Sequence, residues 1–296
     1  VSANGRLLQF RTYFARSVSS EPGRAGDLAE LRDGLGSIVM QLTDRVVIIT
    51  GGGGGIGAAM GRRFARAGAR AVVLADRDGS AAAAAAAGLG LGDRGVGVEL
   101  DVTDEAAVVA VVEQTLERFG PVDLFCSNAG AGAEGGLEAS NEAWQRQWEL
   151  HVMSHVYAGR AVLPSMLARG EGYLMHTASA AGLLMAVGSA PYSVTKAACI
   201  KLAEFEAVTH GDAGIRVSVL CPQGVNTAMA PRRLGDGGTD GIREPDDVAD
   251  AVLDAIEQER FFVLPHPEVG DYVVRKAQDP DRWLRGMRRL RARSEG

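Results

Sequence analysis

Tyr192 and Lys196 stand four residues apart, and Ser179 precedes them. At that spacing a helix carries the phenol and the ammonium on one face, one above the other. A cation beside a phenol favours the phenolate, so Lys196 is expected to lower the pKa of Tyr192 and make it a usable acid or base near neutral pH. Upstream lies a second informative run, Thr50-Gly51-Gly52-Gly53-Gly54-Gly55-Ile56-Gly57. A glycine-rich turn that follows a strand and opens a helix brings backbone N–H groups to a pyrophosphate at the positive end of the helix dipole. Val46 to Ile49 supplies the strand and Ile56 to Ala59 the helix, and the Gly-Lys-Ser/Thr ending of a P-loop is missing. The two runs together predict proton chemistry beside a dinucleotide, with Gly51, Gly53, Gly54, Gly55, Ile56 and Gly57 at the phosphates.

Asp76 follows the turn by about 20 residues, at the end of the next apolar run. An acidic side chain there accepts hydrogen bonds from the adenosine ribose hydroxyls, whereas a 2'-phosphate would meet it as a like charge. At a separation of roughly 4 Å and an effective dielectric of about 20 that repulsion is on the order of 4 kcal/mol per unit charge, and Arg77 offsets only part of it. NAD is therefore expected over NADP.

The elements that must position these residues alternate along the chain. Short apolar runs at Arg45 to Thr50, Ala71 to Ala75, Val96 to Leu100, Val122 to Ser127, Gly172 to Thr177, Ile215 to Cys221 and Phe261 to Leu264 read as strands. Between them, helical period runs through Gly57 to Ala67, Ser80 to Ala87, Asp104 to Phe119 with Thr103 as its cap, Asn141 to Leu167, Pro191 to Val208 and Pro245 to Gln258. This alternation predicts an α/β fold, a doubly wound parallel sheet of seven strands in one domain spanning 40–265. Pro265-His266-Pro267 then breaks the chain ahead of a basic helical tail, 266–296. Residues 1–39, with Arg6, Arg11 and Arg16 in an acid-free first stretch, are expected to be an extension outside the fold.

The balance of the 296 residues, 46% apolar and 23% charged, is that of an ordinary globule. A formal net charge of -6 argues against nucleic acid or an anionic membrane as partner, because such binding depends on neutralising phosphates with Lys and Arg. Cys126, Cys199 and Cys221 fall inside apolar segments, which suits buried small hydrophobes in a reducing compartment, and a cytoplasmic location is expected. His151 and His155 lie one turn apart without a third ligand at a convincing spacing, so no metal is expected.

Taken in order, Thr50-Gly51 through Gly55-Ile56-Gly57, Asp76, Asp101-Val102, Asn128-Ala129-Gly130, Ser179, Tyr192 with Lys196, and Thr227 after Pro222 resemble the short-chain dehydrogenase/reductase family over about residues 40 to 265. The resemblance implies a Rossmann-like fold and an NAD-dependent interconversion of a secondary alcohol and a ketone. It implies that Asp101 and Val102 flank the adenine, that Asn128, Ala129 and Gly130 line the cofactor groove, and that Val225 and Thr227 meet the nicotinamide end. Ser179 would hold the substrate oxygen, Tyr192 would exchange its proton, and Lys196 would grip the nicotinamide ribose. A homotetramer or homodimer is also implied. Structural readings stand beside some of these: Asn128 can brace a neighbouring strand, and Asp123 reads as a strand-start residue.

Two positions depart from the family pattern. Aligning Trp144 and Pro164 puts His151 where an asparagine usually completes the catalytic set; its expected role is a member of a proton relay that titrates in the physiological range, and beside that stands the reading of a helix histidine serving packing. Gln223 replaces a glycine after Pro222, which leaves the local backbone path open. These departures motivate a rival reading, a dinucleotide-binding sensor or scaffold with little turnover, against which Ser179, Tyr192 and Lys196 argue. The loop from Ala228 to Arg243 is expected to overhang the strand ends as a lid. Its Met229 and Leu234, with Leu183, Leu184 and Met185, suggest a nonpolar small-molecule substrate.

Overall fold

The computed structural model describes residues 40–229 and 240–294. The expected extension 1–39, and with it the centre of the expected lid including Leu234, lie outside the described residues.

Seven strands form one parallel sheet in the order β3-β2-β1-β4-β5-β6-β7. They are β1 (Val46–Thr50), β2 (Ala71–Asp76), β3 (Gly95–Glu99), β4 (Leu124–Ser127), β5 (Gly172–Thr177), β6 (Ile215–Leu220) and β7 (Phe262–Val263). Every residue of β1 is buried, as a central parallel strand covered on both faces requires. Val47 and Ile49 join the core cluster under α1 (Gly55–Arg66) and α8 (Pro245–Glu257), where Met60, Phe64, Val248 and Val252 pack. Ile48 joins the opposite cluster under α3 (Glu105–Phe119), α5 (Ser154–Arg169) and α7 (Ala190–His210), with Val108, Val162 and Ala203. The two-residue alternation of a strand thus sorts adjacent residues between two cores.

Local chemistry sets the helix starts. Asp78 caps α2 (Gly79–Ala87) by accepting from the Ala81 N–H, and Ser140 caps α4 (Asn141–Trp148) by accepting from Ala143. For α3 the cap is Asp104, which accepts from the Ala106 and Ala107 N–H groups, not the expected Thr103. The Thr103 hydroxyl is drawn away to Asp101 Oδ1 at 2.7 Å.

The expected single helix from Asn141 to Leu167 is also broken in kind, though not in direction. Its middle, Glu149–Met153, is a π-helical turn between α4 and α5, and His151 lies at its centre. After β5 comes a short helix, α6 (Ala180–Leu183), and after β7 the chain ends in α9 (Glu268–Gln278) and α10 (Pro280–Ser294). Among the described residues no helix is long and apolar enough to cross a membrane.

Candidate active site

Sheet order reverses direction between β1 and β4, so the connections leaving their carboxyl ends diverge and open a crevice. A cavity of about 870 Å³ occupies it. Gly51, Gly54, Gly55 and Ile56 form one wall, the last three at the start of α1. Gly51 turns the chain there with a φ of 66°, a left-handed value that a side chain would strain. Gly54, the cap residue of α1, provides no side-chain cap hydrogen bond, and no acidic residue stands in the first turn. Among the described residues the leading N–H groups of α1 meet no carboxylate or hydroxyl cap, which suits them to an anion. That is the fit a dinucleotide pyrophosphate requires.

Asp76 lines the same cavity at the end of β2. Its Oδ2 accepts from the Gly53 N–H and its Oδ1 from the Asp78 N–H, each at 3.0 Å, so the carboxylate is held against the glycine turn. Gly53 and Gly57 support the turn from behind the wall. Arg77, Asp101 and Val102, expected at the adenosine end, also lie outside the wall. Asp101 is engaged with the Thr103 N–H and hydroxyl, which hold its carboxyl below the usual range.

Ser179, Tyr192 and Lys196 converge on the cavity although they leave two different elements. Ser179 follows β5 by two residues and caps α6, where its Oγ accepts from the Ala181 N–H at 3.1 Å. Tyr192 and Lys196 share one face of the first turns of α7. The Lys196 Nζ donates to the Thr177 carbonyl at 2.8 Å and stands 5.8 Å from the centroid of the Tyr192 ring. Burial pushes the Tyr192 phenol up from its ordinary value, and the hydrogen bond with Ser179 pulls it part of the way back. Burial pushes the Lys196 ammonium down. This corrects the expectation that Lys196 lowers the phenol's pKa. Desolvation comes first and favours the neutral phenol, while the nearest partner of the cation is the Thr177 carbonyl oxygen.

His151 requires a second correction. It is fully buried behind Gly130, where a Cβ would lie 3.3 Å from His151 Nε2 and 3.4 Å from Lys196 Nζ. The Ala131 N–H donates to Nε2 at 3.3 Å, and Nδ1 lies 3.0 Å from Thr195 Oγ1, whose own proton goes to the Pro191 carbonyl at 2.8 Å. Those partners select the neutral ring protonated on Nδ1, because a proton on Nε2 would face another donor. Burial first and the Lys196 charge second push its pKa from 6.5 down to about 2. A ring pushed this far down is not expected to switch its charge in the physiological range. His151→Asn is expected to leave the shape of the pH–rate profile unchanged between about pH 5 and 8.

The same burial has a stability consequence. Between pH 6.5 and about 2 the unfolded chain binds a proton at residue 151 that the folded chain does not. Stability from this group is full above pH 6.5 and falls on acidification through that window, by up to about 1.4 kcal/mol per pH unit. His155, also pushed far down by burial, adds in the same direction. Urea unfolding of His151→Asn across this range should show a shallower acid slope than the parent, and an identical slope would contradict the neutral assignment.

Other side chains bind the site's elements together. The Asn128 amide donates to the Thr50 carbonyl and accepts from Thr177 Oγ1, each at 3.0 Å, so it braces β1 and β5 while lining the cavity with Ala129 and Gly130. Asp123 accepts from the Val46 N–H at 2.9 Å, as a strand-start residue does. Val225 and Thr227 line the cavity, as do Leu184, Met185 and Met229; Leu183 does not. Sequence reasoning passed over the Ala131 to Glu134 wall and the opposite Val187 to Ser189 wall, which the Gly135–Ser189 bridge brings together. It also passed over a buried chain behind α7. His155 Nδ1 lies 2.8 Å from His176 Nδ1, and His176 Nε2 lies 2.7 Å from Glu206 Oε2, which ties α5, β5 and α7.

The profile of the short chain dehydrogenase family matches residues 45–236. A 1-deoxy-11-beta-hydroxypentalenate dehydrogenase of Streptomyces exfoliatus is 36% identical over 239 residues, 77% of this chain and 86% of that protein. A meso-2,3-butanediol dehydrogenase of Serratia marcescens is 34% identical, over 76% of this chain and 92% of that one. Among solved structures, a short-chain dehydrogenase/reductase of Burkholderia phymatum in complex with NAD superposes with a TM-score of 0.74 at 31% identity, covering 82% of this chain and 96% of the other.

Proposed function

The chain belongs to the short-chain dehydrogenase family, and from that premise we propose that it is an NAD-dependent oxidoreductase interconverting a nonpolar secondary alcohol and its ketone through Ser179, Tyr192 and Lys196. As a member of that family it is an enzyme acting on CH–OH groups with a nicotinamide dinucleotide. The observation that carries the finer reading is the meeting of a half-buried phenol, a serine hydroxyl and a lysine on the wall of the cavity that the uncapped α1 helix opens onto.

Bound in that cavity, the cofactor would supply a nicotinamide ring that takes up or returns a hydride. The pyrophosphate would rest on the Gly54, Gly55 and Ile56 backbone, and Asp76 would hold the adenosine ribose. Lys196, anchored by Thr177, would grip the nicotinamide ribose, with Val225 and Thr227 beside the amide end. Ser179 donates a hydrogen bond to the substrate oxygen. In ketone reduction Tyr192 gives its proton to that oxygen as the carbonyl bond becomes a C–O single bond. In alcohol oxidation it takes the hydroxyl proton as the C=O bond forms. Burial that favours the neutral phenol suits the first direction, since the proton is already in place at neutral pH. Ala131, Leu184, Met185, Val187 and Met229 on the remaining wall support a nonpolar substrate.

A panel of secondary alcohols and ketones followed by NADH absorbance tests the reading, and the same panel run with NADP tests the role of Asp76. Turnover is expected with NAD, at a kcat/KM roughly two orders of magnitude above that with NADP, the part of the like-charge repulsion that Arg77 leaves uncancelled. Equal use of the two cofactors would remove Asp76 from that role.

A further inference from the structure

The substrate half of the cavity has two lips. One is the segment after Ser179, with Leu184 and Met185 on the wall; the other is the segment after β6, with Gln223, Ala228 and Met229. Neither lip is part of the sheet: their roots are joined where the Ala180 N–H donates to the Pro222 carbonyl at 2.9 Å, and beyond that point another contact must set their spacing. Helix α9, which follows β7, touches the first lip directly and the second through Asp240. Its Lys276 Nζ donates to the Leu183 carbonyl at 2.7 Å and the Leu184 carbonyl at 3.3 Å. One turn earlier on the same face, the Tyr272 hydroxyl donates to Asp240 Oδ1 at 2.9 Å, while Gln223 Nε2 donates to Asp240 Oδ2 at 2.9 Å.

Each of these bonds suits its place. Leu183 ends the four-residue helix α6, and carbonyls at a helix end lack partners within the helix, so an ammonium there satisfies them and meets the negative end of the dipole. The ammonium is half-buried and depressed by that burial, and among the described residues its bonds go to these carbonyls. Gln223, where the family pattern has glycine, reaches Asp240 through an amide that a glycine would lack. The Gln223 N–H is held as well, by Nδ1 of the fully buried His266 at 3.3 Å, and His266 leads into α9.

We infer that α9 is a clasp across the substrate pocket, with Lys276 and Tyr272 as positioning residues that hold its two lips and so set which substrates fit. Neither residue lines the cavity. Both act through the backbone and side chains that do. The inference rests on the functional reading above and deepens it by assigning substrate discrimination to the tail. A helix that spans the two lips fixes the width of the pocket, so loss of one anchor widens it and weakens the preference for one substrate size.

The test compares the parent enzyme with Lys276→Met, Tyr272→Phe and the double variant on a ketone series of increasing chain length. Each single variant should raise KM for the best ketone about ten-fold, the loss of one hydrogen bond to a charged group, with kcat lowered less and the NADH dissociation constant unchanged. Discrimination along the series should flatten, and the double variant should fall short of the product of the singles, as anchors of one clasp do. Amide hydrogen exchange read on the same proteins should quicken at 184–189 and 223–229 and stay unchanged at 51–57. Parent-like KM values and discrimination, or unchanged exchange at both lips, would overturn the clasp. A loss of NADH binding in step with KM would also overturn it, since that marks general loosening of the fold. A parent that turns over no alcohol or ketone would overturn the functional reading and the specificity role with it, and the exchange measurement alone would then decide whether α9 holds the lips.

Discussion

Tyr192→Phe is expected to lower kcat by about 10² to 10⁴-fold, the range lost with a positioned acid or base, while NAD binding is retained. The change removes one oxygen from a half-buried ring. That ring packs edge-on against His151, with centroids 5.4 Å apart, and phenylalanine keeps the packing. The fold and the glycine turn are untouched, so a fall in turnover with an unaltered NAD dissociation constant isolates the proton step. Because burial raises the phenol's pKa, the activity that depends on the protonated form should persist well into the alkaline range in the reductive direction. Near-normal turnover in the variant would take the proton role away from Tyr192.

The second large effect is expected from Gly57→Ala. A methyl group at this position would overlap the Gly51 carbonyl oxygen and come within 2.9 Å of Asn128 Nδ2. Neither neighbour can yield cheaply, since Gly51 is backbone in a left-handed turn and Asn128 is pinned between β1 and β5. Overpacking of this kind costs about 1–3 kcal/mol. If the turn moves to relieve it, NAD affinity should fall by about ten- to a hundred-fold. If it does not, the loss should appear as a lower unfolding temperature. Gly54→Ala is the comparator, because a Cβ there meets no atom within 4 Å, so its unfolding temperature in the absence of cofactor should match the parent. Equal behaviour of the two variants would contradict the close approach of the helix start to the turn.

Much of this was legible before any coordinates. Short apolar runs bounded by turn residues marked the seven strands within a residue or two, because a central parallel strand covered on both faces reads as one continuous apolar stretch. The glycine turn, Asp76 and the Tyr192–Lys196 pair were legible for the same reason: each is a short-range spacing that serves one local geometry. Errors began where a competing neighbour decided the outcome. Thr103 was as good a cap as Asp104 until Asp101 claimed its hydroxyl, and a continuous helical pattern from Asn141 gave no sign of the π turn at Glu149–Met153.

What the sequence determined by itself was the order of strands and helices along the chain, the glycine turn at the head of α1 and the Ser179, Tyr192 and Lys196 set that meets on one crevice. Tertiary structure alone decided their chemical state and their company. Lys196 is bound to a carbonyl and burial pushes Tyr192 toward the neutral phenol, the partners of His151 select one tautomer, and Lys276 reaches Leu183 across 93 positions of chain. The physical reason is that periodicity and turn preference act over a few neighbouring residues. Desolvation and long-range hydrogen bonding depend on which distant segments fold around a group, and spacing along the chain carries no record of that.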